Sequence, residues 1–127
     1  MRLLLDSSVL IDVLRGQKAR RELLARLVSD GHNLSTTVVN VAEIYMGIRS
    51  GEEPRVQSLF ALLECYALDA ETAKRAGILK STWGKKGIAI SLPDAIVAAI
   101  AIDRDCVLAT DNRKDFPMSE LNLYPLT

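Results

Sequence analysis

The chain has 127 residues, 49% of them apolar and 25% charged, with 16 basic residues balancing 16 acidic ones. That length fits one domain spanning residues 1–127, and zero net charge excludes a general pull toward nucleic acid, leaving polyanion binding to local patches. A single histidine and two separate cysteines exclude a Cys/His zinc centre, which needs four ligands.

No apolar stretch approaches the ~20 residues needed to cross a bilayer, and no basic segment precedes an apolar run at the N-terminus. A soluble, cytoplasmic protein is therefore expected, with Cys65 and Cys106 as buried free thiols. Charge neutrality does little to keep copies apart, which suits an oligomer.

In chain order, Leu3 to Leu5 form a continuous apolar run, the pattern of a strand covered on both faces of a parallel sheet. The run stops at Asp6-Ser7-Ser8. Ser7 or Ser8 is expected to cap a helix carrying Val9, Leu10, Val13 and Leu14. Asp6 then sits at the carboxyl end of a central strand, where open α/β sheets bind ligands, although a plain helix cap gives the same pattern. A second helix is expected from Lys18 to Ser29, with Leu23, Leu24, Leu27 and Val28 on one face. After the turn at Asp30 to Asn33, in which His32 reads as a solvated loop residue, Leu34 to Thr36 suggests a brief strand.

Thr36 and Thr37 are good caps for a third helix ending near Gly47 to Gly51. It is apolar apart from Asn40, Glu43 and Gly47, whose spacing puts them on one face. Burial on most sides is expected, which brings Glu43 near the interior unless that face is an ordinary solvent stripe. Glu52-Glu53-Pro54 opens a fourth helix burying Val56, Leu59, Phe60, Leu62 and Leu63. Tyr66 to Leu68 suggests a strand, and Asp69 caps a helix reaching Trp83. Gly84-Lys85-Lys86-Gly87 reads as a basic loop and a possible phosphate contact.

Ser91-Leu92-Pro93-Asp94 has the form of a helix start, and the alanine-rich run that follows argues for a buried central helix. Cys106 to Ala109 is a buried strand ending on Thr110-Asp111-Asn112, and Leu121 to Tyr124 gives a last short strand.

In a parallel sheet with helical crossovers, strand ends and helix starts collect at one edge. Asp6, Glu43, Asp94 and an acid of the Thr110–Phe116 segment would then crowd one pocket. Like charges at close range raise one another's pKa unless a cation sits among them. Oxygen-only ligands suit Mg²⁺ or Mn²⁺, which activate water for attack on phosphodiesters. One histidine in a turn leaves no Ser-His-Asp machinery, and a haloacid-dehalogenase-type phosphatase needs an aspartate where Ser8 stands.

Four segments in register, Leu5-Asp6-Ser7-Ser8-Val9-Leu10-Ile11-Asp12, Val41-Ala42-Glu43-Ile44, Pro93-Asp94-Ala95-Ile96-Val97-Ala98 and Ala109 to Phe116, resemble the PIN-domain nucleases, especially the VapC toxin branch. The resemblance implies a three-layer α/β/α sandwich around a mainly parallel sheet. It also implies a Mg²⁺- or Mn²⁺-dependent endoribonuclease, a small VapB-like antitoxin as partner, and a homodimer. By position, Asp6 and Asp94 resemble the main metal ligands, Glu43 the third acid, and Ser8 and Thr110 the hydroxyls that orient them. The pattern T-x-N-x-x-[DE]-F puts the fourth acid at Asp115, with Asp111 as the alternative and Asn112 as a neutral neighbour. Arg15, Lys85, Lys86, Arg113 and Lys114 are the expected RNA contacts. A second reading is a PIN-like partner of a DNA-bound regulatory complex, whose acidic pocket receives an arginine from the antitoxin.

Overall fold

The computed structural model describes residues 1–126. Five strands form one sheet: β1 (Arg2–Leu5), β2 (Asn33–Thr37), β3 (Glu64–Tyr66), β4 (Val107–Ala109) and β5 (Asn122–Leu123). Their order is β3-β2-β1-β4-β5, with every adjacent pair parallel. The central strand β1 registers Leu3 against Leu34 on one side and against Val107 on the other.

Six helices cover the sheet: α1 (Ser7–Leu14), α2 (Lys18–Ser29), α3 (Val38–Met46), α4 (Glu53–Phe60), α5 (Ala70–Lys85) and α6 (Leu92–Asp103). Successive side chains of β1 point to opposite faces, and both faces are buried. Leu4 packs into a core with Ala76, Leu79, Ala98 and Ile100 from α5 and α6. Leu3 and Leu5 pack into the other, with Leu10, Leu27, Ile44 and Val56 from α1 to α4. This is the expected three-layer α/β/α sandwich, and the unbroken leucine run is what a strand covered on both faces requires. No helix among the described residues is long and apolar enough to cross a membrane.

Several expectations need correction. The cap of α1 is Asp6, with Ser7 and Ser8 already inside the first turn. Strand β3 lies two residues earlier than expected, and Cys65 within it is exposed, because an edge strand is only partly covered. Cys106 is buried. Helix α5 runs on through Gly84 and Lys85, so only the second half of the basic segment is loop. Leu62 is 56% exposed, lying just beyond the end of α4. The largest departure is α3, whose buried residues are Asn40 and Ile44, whereas Val38, Tyr45 and Met46 are exposed. Of the expected interior polar face, Asn40 is buried among hydrogen-bond partners, Glu43 is half-buried and Gly47 is exposed.

Leu4 is 0% exposed at the middle of the sheet. Leu4→Ala should cost about 2–5 kcal/mol in urea denaturation; a loss under about 0.5 kcal/mol, typical of surface sites, would contradict this placement.

Candidate active site

The strand order reverses direction at β1, which leads toward β2 on one side and is flanked by β4 on the other. The crevice at the carboxyl ends of β1 and β4 is the switch point at which such sheets bind ligands. Asp6 follows the last residue of β1, and its N–H donates to the Ala109 carbonyl at the end of β4 (3.0 Å). Helix α6 leads back into β4, so its first turn, with Asp94, lies over the same edge. Helix α3 starts directly from β2 and brings Glu43 there from its second turn.

The Asp6 side chain is 5% exposed and does not cap α1, although its backbone occupies the capping position. It accepts instead from the Thr110 hydroxyl at 2.7 Å on Oδ2 and from Asn40 Nδ2 at 3.1 Å on Oδ1. The same Asn40 amide donates to Ser7 Oγ (3.0 Å), and the Ser7 hydroxyl donates to Glu43 Oε1 (2.8 Å). Two acids from different elements are thus bound into one network by neutral donors. No buried side-chain nitrogen or oxygen among the described residues lacks a partner, so the network is satisfied throughout.

Asp94 is half-buried in the first turn of α6, where Ser91 caps the helix by accepting from the Asp94 N–H (3.2 Å). Burial pushes the Asp94 carboxyl above the usual carboxylate range, the Ser91 hydroxyl opposes this, and the negative charges of Asp6, Asp115 and Glu43 push it further. Three of the expected acids, Asp6, Asp115 and Glu43, thus lie close enough to Asp94 to act on it electrostatically.

Asp111 and Asp115, the two candidates for the fourth acid, have different neighbours. Asp111 is paired with Arg20, which also reaches Asp12 (3.4 Å). Asp115, in a short 3-10 turn at Arg113–Asp115, carries no described ion pair and presses on Asp94. Asn112 contributes its backbone N–H to the Thr110 hydroxyl (3.0 Å). The Ser8 hydroxyl accepts from the Asp111 N–H (3.2 Å), and it is the Ser7 hydroxyl that meets Glu43.

Of the expected RNA contacts, Arg15 is paired with Glu52 (2.5 Å), beside the small crevice that Glu43 also lines. Arg113 donates to the Tyr124 carbonyl (3.2 Å), and the Lys86 ammonium lies 4.4 Å over the Trp83 ring. Lys85 and Lys114 are exposed, with no described ion pair. Asn40, Ser7 and Arg20 are the residues that sequence reasoning missed. For Asn40 a signal existed, since Thr37 and Asn40 are spaced as a capping box, and the structure forms it.

The donor set is oxygen only, which fits a hard divalent cation. Among the described residues no three His, Cys, Asp or Glu side chains are grouped so as to hold a metal ion together. An ion here would be held by one or two carboxylates, Asp6 and Asp94 foremost, with water completing its shell, as Mg²⁺ is commonly bound.

Because the raised pKa of Asp94 belongs to the folded state, this carboxyl's own contribution to metal-free stability is greatest when it is protonated and falls as pH rises through its titration. Asp94→Asn should therefore raise the Tm of the metal-free protein at neutral pH, with the difference shrinking on acidification. A lower Tm for the variant at neutral pH would contradict the repulsion.

The PIN domain family model matches residues 3–118. Ribonuclease VapC10 of Mycobacterium tuberculosis (strain H37Rv) is 37% identical over 118 residues, covering 93% of this chain and 88% of that protein. Ribonuclease VapC19 of the same strain is 29% identical over 115 residues, covering 91% and 92%. Among solved structures, VapBC2 from Rickettsia felis bound to a promoter DNA fragment superposes with a TM-score of 0.83 at 22% identity, over 98% of both chains. VapBC-1 from nontypeable Haemophilus influenzae gives 0.82 at 20% identity, over 98% and 97%. With the family model covering residues 3–118 and the fold in agreement, this chain belongs to the PIN domain family.

Proposed function

We propose that the chain is a divalent-metal-dependent endoribonuclease and the toxin of a toxin–antitoxin pair. The observation that carries this reading is a buried carboxylate, Asp6, at the sheet switch point, held by two neutral donors, whose charge with those of Glu43 and Asp115 acts on Asp94. A cationic occupant relieves that repulsion, and relatives of the chain are named ribonucleases. Asp6 and Asp94 would hold Mg²⁺ or Mn²⁺, with Glu43 and Asp115 completing the negative pocket. The ion would supply a water of lowered pKa and charge stabilisation for phosphodiester hydrolysis. Thr110 and Asn40 hold the Asp6 oxygens in place, and Ser7 does the same for Glu43. Lys85 and Lys114 are the exposed cations best able to take RNA phosphates.

A VapB-like antitoxin is the proposed protein partner, since the structural neighbours include VapBC assemblies. What supports it in this chain is an apolar groove of about 560 Å³ between α1, α2 and α4, lined by Leu14, Leu24, Val28, Leu59 and Leu62, with Arg21 and Arg55 beside them. A homodimer is supported by the exposed apolar residues Val38, Tyr45 and Met46 on α3. A purely regulatory role, with the acids only receiving a partner's arginine, predicts instead a chain that cuts no RNA.

Asp6→Asn should abolish Mg²⁺- or Mn²⁺-dependent RNA cleavage while circular dichroism stays unchanged. Thr110→Val should cost ~10–100-fold, the usual effect of removing a group that orients a metal ligand. Cleavage unchanged in Asp6→Asn would refute the assignment.

A further inference from the structure

We infer that Asn40 and Ser7 are positioning residues that fix the Asp6 and Glu43 carboxylates relative to one another; the inference rests on the nuclease reading given above. Asn40 is 0% exposed, yet it is an amide in the middle of a protein core. Its carbonyl oxygen is occupied on one side, accepting from the Thr37 N–H (3.2 Å) and the Thr37 hydroxyl (2.8 Å). In return the Thr37 hydroxyl accepts from the Asn40 N–H at the start of α3 (3.3 Å), so the side chain is pinned by the helix cap itself.

That pinning sets the chemistry of the other end. With the oxygen committed to Thr37, the NH₂ group must face the site, and its two protons reach two different acceptors, Asp6 Oδ1 (3.1 Å) and Ser7 Oγ (3.0 Å). Since Ser7 Oγ already accepts from Asn40, its own proton is free to go to Glu43 Oε1 (2.8 Å). The direction of every bond follows from the first. One amide therefore acts on Asp6 directly and on Glu43 through a single hydroxyl, linking residues 34 and 36 positions apart in the chain.

A neutral bridge suits this place for an electrostatic reason. A lysine or arginine there would neutralise the acids permanently and compete with a metal ion, whereas an amide and a hydroxyl orient both carboxylates and leave their charge intact. Neither residue needs to touch substrate.

The test is Mn²⁺ binding by calorimetry, with the Tm of the metal-free protein measured alongside. Ser7→Ala keeps the helix cap and the fold, and is expected to weaken Mn²⁺ binding ~10–100-fold. In a Glu43→Gln background the same Ser7→Ala change should have little further effect, because its action passes through Glu43. Asn40→Ala should weaken binding at least as much; if it fails to fold, the Ser7 cycle still decides. Mn²⁺ affinity unchanged in Ser7→Ala while the wild type binds would overturn the inference alone. No Mn²⁺ binding by the wild type would overturn the nuclease reading and this inference with it.

Discussion

At the carboxyl edge of a single parallel sheet Asp94 feels the charges of Asp6, Asp115 and Glu43, and none of the four is paired with lysine or arginine among the described residues. Mutual repulsion at a partly buried site costs stability, and proteins commonly carry such cost where function needs it. The rest of the molecule is arranged so that this concentration of charge survives folding. Asp6 is tolerated because Thr110 and Asn40 donate to both of its oxygens. Asp94 is tolerated because it lies at the positive end of α6 beside the Ser91 cap.

Arg15 and Arg20 are turned to acids outside the group of four. Arg20 holds Asp12 and Asp111, and Arg15 holds Glu52. Through Asp111, Arg20 ties the loop after β4 to α1 and α2, and that loop carries Thr110 on one side and Asp115 on the other. Cations thus brace the frame while the pocket keeps its negative potential. A divalent ion and the guanidinium of an arginine meet the same electrostatic need.

Much of this was legible from the residue pattern. The leucine run of β1, the Ser91-to-Asp94 helix start and the alanine-rich α6 each combine local propensity with burial, so pattern and fold agree. Asp6 and Asp94 were visible for the same reason, as charged residues at the ends of apolar segments. What the pattern hid was α3. Its apolar residues suggested burial, yet Val38, Tyr45 and Met46 face outward and Asn40 faces in. Periodicity reports which residues share a face, and partners elsewhere in the chain decide which face is inside. Ser7 and Ser8 could not be separated by sequence, since one residue of helical rotation decides which hydroxyl meets Glu43. The pairing of Asp111 with Arg20 was hidden likewise, because Arg20 lies 91 residues away in the chain.

The central claim is that these acids form a cation site. Anomalous diffraction from crystals grown with Mn²⁺ tests it most directly. The account predicts a peak within about 2.0–2.2 Å of oxygens from both Asp6 and Asp94, the range for a small hard cation. Mn²⁺ bound elsewhere, with the pocket between Asp6 and Asp94 holding none, would contradict it.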